Sequence, residues 1–188
     1  MLERDAALAL FAEHNSEQHM LQHSLASEAV MRALARHFGE DERIWGLAGL
    51  LHDVDYGKTK DSPEKHGLLA VSLLEGKLPA EAIAAIQAHN SECTGVEPKE
   101  RLDFALRAGE TITGLVAAAA LMRPTGMVGM EVKSLKKKLK DKAFAANVSR
   151  ERIKECERIG LPLDDFLALA IAAMTPADVS GDVRETLR

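Results

Sequence analysis

The amino-acid sequence predicts an all-α protein, and three observations carry that prediction. Aromatic residues make up only 4% of the 188 positions while hydrophobic residues make up 46%. A core must then be built from Ala, Leu, Ile, Val and Met, a mix that favours helices over sheets. Apolar residues recur at helical spacing, as in Met20, Leu21, Leu25, Val30, Met31, Leu34 and Phe38. No segment alternates apolar and polar residues over more than a few positions, as a half-buried strand would.

The elements follow in order. Residues 3–13 read as a short helix and residues 16–38 as a long one, with Ser16 as its cap and Gly39 as its stop. Asp41 caps a helix running to about His52, and a turn-like segment spans 53–61. Ser62-Pro63 opens a helix to about Gly76, proline at a first helical position lacking only an N–H that has no partner there. Pro79 starts another, ending near His89, and Pro98 starts a long helix to about Met122. Three shorter helices are expected near 131–145, 150–159 and 163–174, and the residues from Ala177 on form a polar tail. With no repeat and no linker, residues 1–188 are expected to form one helical domain, its core about 15–150 and its C-terminal helices 150–175.

Composition also narrows function. The net charge is -5, yet residues 131–142 hold six lysines against Glu131 and Asp141, a local +4 that leaves -9 for the rest. An acidic body argues against a dedicated nucleic-acid binder. The lysine-rich segment reads first as a solvated helix face and second as a contact for a phosphate-bearing partner. The longest uninterrupted apolar run, residues 166–174, is nine residues, against about 20 for a membrane-spanning helix, so no membrane partner is expected. The N-terminus carries acids early and lacks a leader pattern. Cys93 and Cys156 form no paired motif and fit free thiols in a reducing cytoplasm. The alanine-rich residues 115–122 could pack within the fold or against a second copy in a homo-oligomer.

All seven histidines lie at or before position 89. His52 and Asp53 follow the apolar, small-residue run 45–51. Burying both without partners costs several kcal/mol, and a shared cation removes that cost. A helix-end histidine beside a capping aspartate is the alternative. Glu110 sits among Ala108, Gly109 and Gly114, which suit close approach of another element, yet Arg107 lies three positions earlier. Periodicity alone favours an exposed Arg107–Glu110 pair.

The order of these residues resembles that of HD-domain proteins, a superfamily of helical metal-dependent phosphohydrolases. The matching pieces are His23 in HSLASEAVMRALA, His52-Asp53 at the end of WGLAGLLHDVD, and Glu110 in ALRAGETITGLVAAAALM. His66 in SPEKHG and His89 in IQAHN match the extra histidines of two-metal branches. The stretches GLAGLLHDVDY and AGETITGLVAAAALMRPTG are similar to a bacterial group of HD hydrolases, and the resemblance covers about residues 15–150. Most of the superfamily carries aspartate as the final acidic ligand, where this chain has Glu110, one methylene longer.

The resemblance implies an HD-like helical bundle in which His23, His52, Asp53 and Glu110 hold one divalent metal ion. Asp53 would bridge to a second ion held by His66 and His89. Such donors suit iron, manganese, nickel or zinc more than calcium. The implied reaction is hydrolysis of a phosphate ester in a nucleotide or small phosphorylated metabolite, with Asp53, His66 or His89 assisting proton transfer. Asp55 and Lys58, in the turn after the doublet, would meet the substrate, Lys58 through its ammonium. Two other functions stand beside this one: a di-iron oxygenase on the same donors, and a catalytically quiet nucleotide-binding module. Of the remaining histidines, His19 lies one turn before His23 and could support it. His37 suits a helix C-terminal turn, and His14 suits a solvated loop.

Overall fold

The computed structural model describes residues 1–175. The chain folds as α1 (Arg4–His14), α2 (Gln18–Phe38), α3 (Glu42–Leu51), α4 (Tyr56–Thr59), a 3₁₀ turn (Pro63–Lys65), α5 (Leu68–Leu74), α6 (Ala80–Ala88) and α7 (Ser91–Thr94). It continues as α8 (Arg101–Leu121), α9 (Val132–Lys140), α10 (Arg150–Lys154), a second 3₁₀ turn (Glu155–Ile159) and α11 (Leu163–Met174). No strand occurs among the described residues, so the all-α expectation holds. The expected polar tail, 177–188, lies outside them.

The two longest helices, α2 and α8, form the frame. α3 packs along α2, α8 crosses α2 and α6, and α11 closes over both α2 and α8. Their facing stripes, including Val30, Met31 and Leu34 of α2 and Ile112, Leu115 and Val116 of α8, are fully buried in one continuous apolar core. By length and composition α8 could cross a bilayer, although no long uninterrupted apolar run marks it, but 67% of its most apolar stretch is buried within the bundle.

Local chemistry sets most boundaries. Asp41 caps α3 as expected, accepting from the N–H groups of Arg43 and Ile44, and Gly39 ends α2 with φ 70°. Three expectations shift. Glu17, not Ser16, occupies the position before α2 and makes no side-chain cap bond. The helix expected from Pro98 begins at Arg101, where Glu100 and Asp103 cap each other's backbone. The expected helix 62–76 is broken: Gly67 takes φ 89° between the 3₁₀ turn and α5, a conformation open to glycine at little cost. The segment 53–61 is turn at either end, as expected, and holds the short α4 between, whose Thr59 is buried. Cys93 and Cys156 are unbridged, the first exposed and the second buried.

The approach of α3 to α2 depends on Gly49, where a Cβ would stand 2.7 Å from the Ser27 carbonyl oxygen and 2.9 Å from Met31 Cγ. Gly49→Leu is expected to destabilise the fold by about 1–3 kcal/mol through overpacking. Chemical denaturation reads this as an earlier midpoint, and an unchanged midpoint would refute so close a contact.

Candidate metal centre

Four imidazoles from four segments converge on one carboxylate. His23 projects from the second turn of α2, and His52 follows the last residue of α3. His66 precedes Gly67 at the broken helix, and His89 follows the last residue of α6. Asp53 stands between them, 7% exposed. Its Oδ2 lies 3.4 Å from His52 Nε2 and 3.7 Å from His23 Nε2. Its Oδ1 lies 3.0 Å from His66 Nε2 and 3.6 Å from His89 Nε2. Within each pair the facing Nε2 atoms are 3.1 Å apart.

The outer nitrogens explain the inner ones. His52 Nδ1–H donates to the Gly49 carbonyl (2.8 Å) and His89 Nδ1–H to the Ile86 carbonyl (2.5 Å). His66 Nδ1–H donates to Asp55 Oδ1 (2.9 Å). Thr113 spends its hydroxyl proton on the Glu110 carbonyl, so its oxygen accepts from His23 Nδ1–H at 3.0 Å. A ring in its neutral form with its proton held outward in this way turns an Nε2 lone pair inward, the arrangement of metal-ligating histidines. Two such lone pairs at 3.1 Å repel unless a cation lies near both. Two donor groups meet the spacing of a single ion: His23, His52 and Asp53, and Asp53, His66 and His89. The residues present therefore fit a divalent metal site, with Asp53 common to both groups.

Burial holds the His52 imidazole down to about pKa 3, so it is neutral through the working range. Burial alone would raise Asp53, but His52, His66, His89 and His23 outweigh it and keep the carboxylate ionised. At His66 burial opposes charge, yet hydrogen bonds to Asp53 and Asp55 win and lift the ring to about 10. Without a metal, the proton on His66 is the cation that Asp53 faces.

Asp55 was expected to meet substrate, but the fold gives it other work. It is fully buried, and besides His66 it accepts from the N–H groups of Gly67 and Ala70 at 2.9 Å each. It orients His66 and caps α5 at once. Nothing nearby in sequence signals this, because its partners lie 11 to 15 positions on. Lys58 is exposed on α4. Glu110 does not form the exposed pair with Arg107: Arg107 is 3% exposed and bound to Glu92 and Glu155. Glu110 instead faces the site, its Oε2 3.8 Å from His23 Nε2, though it lies outside both compact donor groups. His19 points to solvent beside Glu17 and does not support His23. Thr113 does that work, a residue whose helical neighbourhood gave no hint of it.

A helical bundle that gathers ordered histidines and an aspartate into two overlapping donor groups is a metal-site fold, and the comparison with known families agrees. The HD domain family model matches residues 20–121, more than half of the chain. This chain belongs to the HD domain family. It is 31% identical over 101 residues to Ribonuclease Y of Oleidesulfovibrio alaskensis. That match covers 52% of this chain but only 18% of the relative's length. No solved structure matches the chain.

Two outcomes are expected. Asp55→Asn leaves the outer nitrogen of His66 without its anionic partner and is expected to weaken binding of a divalent cation by about 10–100-fold, read by metal titration of chelator-treated protein. Metal uptake by the group that contains His66 must also displace the His66 proton. Titrating manganese into weakly buffered metal-free protein at pH 7–8 is expected to release acid, and affinity is expected to rise with pH toward about 10. In the metal-free protein the same shift has a definite sign. The raised His66 pKa adds stability that is complete below about 6.5 and fades as pH climbs through about 10. The lowered His52 pKa adds stability present above about 6.5 and lost as pH falls toward 3.

Proposed function

We propose that this protein hydrolyses a phosphate ester, in a nucleotide or a small phosphorylated metabolite, with one or two divalent metal ions. The observation that carries the reading is the Asp53 carboxylate shared between two imidazole pairs whose outer nitrogens are all tied down. The HD family is generally one of metal-dependent hydrolases, and the relative is a ribonuclease by name, so phosphoester cleavage is a shared chemistry. That relative's substrate belongs to the whole, much longer protein, and the acidic body of this chain favours a small substrate over a nucleic acid.

Divalent cations held by these donors supply the charge that acidifies a water and neutralises phosphoryl oxygens. The chain does the rest. His23 and His52 with Asp53 Oδ2, and His66 and His89 with Asp53 Oδ1, fix where positive charge sits. The carbonyls of Gly49 and Ile86, with Thr113 and Asp55, keep those rings from turning. Asp53, at the centre, is the candidate to receive the proton of an attacking water. If only the His23–His52 pair holds an ion, His66 keeps its proton, and it or His89 can pass one to the leaving oxygen. Glu110 adds negative charge beside His23 and completes that side. Lys58, free on the surface of α4, is a candidate phosphate contact.

Purified protein is expected to contain bound transition metal, and on loading with manganese, cobalt, nickel or iron to release phosphate from part of a panel of nucleotides and phosphomonoesters. His52→Ala and Asp53→Asn are expected to remove both the metal and the turnover. Absence of turnover with every metal, with His52→Ala indistinguishable from the parent, would refute hydrolysis. The same histidine-rich donors suit a pair of irons, so anaerobic iron loading followed by oxygen serves as the control. Oxygen uptake coupled to substrate would replace hydrolysis with oxygenase chemistry. Ligand-induced thermal stabilisation without product would leave a binding module.

A further inference from the structure

A cavity of about 470 Å³ opens beside the metal centre, with His23 and Glu110 on one side and Asn147, Ser149 and Arg152 on the other. That size suits a small metabolite. The second side comes from beyond residue 121, where the family match ends. It is a built wall rather than a loose loop. Arg150 donates to the carbonyls of Asp141 (3.0 Å), Ala145 (2.7 Å), Val148 (2.6 Å) and Phe144, so one guanidinium pins the whole turn. Ala145 holds φ 46° within it, a strained conformation for a residue with a Cβ. Val148 closes on Gly114 of α8, where a Cβ would stand 3.2 Å from Val148 Cγ2.

We propose that Arg152 binds the phosphate of the substrate in this cavity, and that Glu92 is the latch that holds its guanidinium until substrate arrives. The inference rests on the phosphate-ester reading and names a residue that the HD region does not contain. Arg152 grips Glu92 in a two-point fork, through Nε at 3.2 Å and through Nη2. Its remaining nitrogen, Nη1, lies 3.5 Å from Glu110 Oε1, and Glu110 in turn faces His23. The guanidinium is thus one side chain away from the metal donors, with its planar fork already aligned for two oxygens of one group. A phosphate presents the same two oxygens with more charge.

The latch is weak enough to open. The Glu92 side chain is 51% exposed, and an ion pair that wet contributes little. Burial alone would raise the Glu92 carboxyl, but hydrogen bonds from Arg107 and Arg152 outweigh it and hold it well below its ordinary range. Glu92 is therefore a charged competitor of the substrate at neutral pH. Arg107 does not depend on it, since Glu155 holds Arg107 separately at 2.7 and 2.9 Å. No Phe, Tyr or Trp is among the described residues that line the cavity, so its ligand is gripped by charge and hydrogen bonds, as a small phosphomonoester would be.

Inorganic phosphate is the probe, titrated calorimetrically into manganese-loaded and into chelator-treated protein. Arg152→Ala is expected to weaken phosphate binding by about tenfold or more, with Arg152→Lys regaining part of the loss. Glu92→Gln is expected to act in the opposite direction and tighten it several-fold, because the competitor is gone while Arg107 keeps Glu155. A role confined to packing would not give opposite signs at the two positions, and Glu92→Gln serves as the test if Arg152→Ala fails to fold. Parent-like binding by Arg152→Ala, weaker binding by Glu92→Gln, or no binding by the parent would each overturn the proposal. Elemental analysis of the same samples separates the two readings. Bound metal with phosphate affinity indifferent to Arg152 sinks this inference alone. Arg152-dependent binding in a protein that takes up no metal sinks the metal reading and supports this one.

Discussion

The structure depends on the contact between one buried carboxylate and four imidazoles, of which His52 and His89 are buried and His23 and His66 partly so. Asp53 is a nearly buried anion, and around it the Nε2 atoms of each pair face each other at 3.1 Å, lone pair to lone pair when both rings are neutral. Neither the charge nor the lone pairs are stable there without positive charge between them. Metal-free, that charge is the His66 proton; with metal, it is the ion. The fold's other devices around the site make sense as ways to hold this otherwise unfavourable cluster in place. The Gly49 and Ile86 carbonyls come from the last turns of α3 and α6, where they have no onward helical partner. The helix ends are thus used to fix the rings.

A second buried charge ties the far side of the site together. Arg107, in the middle of α8, donates to the carbonyls of Ala88 and His89, to Ser91 Oγ, and to Glu92 and Glu155. One guanidinium therefore joins α6, α7, α8 and the second 3₁₀ turn, and it does so at the backbone of a metal-site histidine. Burying a cation is costly unless its donors are used. Here burial is opposed by the hydrogen bonds to Glu155 and Glu92, which push the Arg107 pKa up. Arg107 looks in sequence like one half of a surface pair and acts in the fold as an internal brace.

The helices were largely legible because their signals are local. Asp41 caps within three residues, Gly39 supplies a left-handed stop, and the stripe of α2 repeats at helical period, so short windows of sequence contain the whole cause. The break at Gly67 was not legible. Residues 62–76 carry a helix-opening Ser-Pro pair and a good apolar pattern, and what interrupts them is the Asp55 carboxylate, which draws in the N–H groups of Gly67 and Ala70 from across the chain. Asp55 was misplaced for the same reason; Thr113 drew no reading, its partner His23 lying 90 positions away, and periodicity alone put Glu110 in an exposed pair although it faces His23, 87 positions away.

Sequence alone determined that the chain is helical and where most helices begin and end, since capping, periodicity and backbone preference act between near neighbours. It also carried the ordered histidines and the doublet that resemble the HD family. Only the tertiary structure decided which atoms of those residues face each other, that Asp53 serves two imidazole pairs, that Asp55 is a buried support, and that Arg152 lines a cavity together with His23 and Glu110. Those facts depend on how α2, α3, α6, α8 and α10 cross, and crossing is set by the packing of the whole core rather than by any stretch of it.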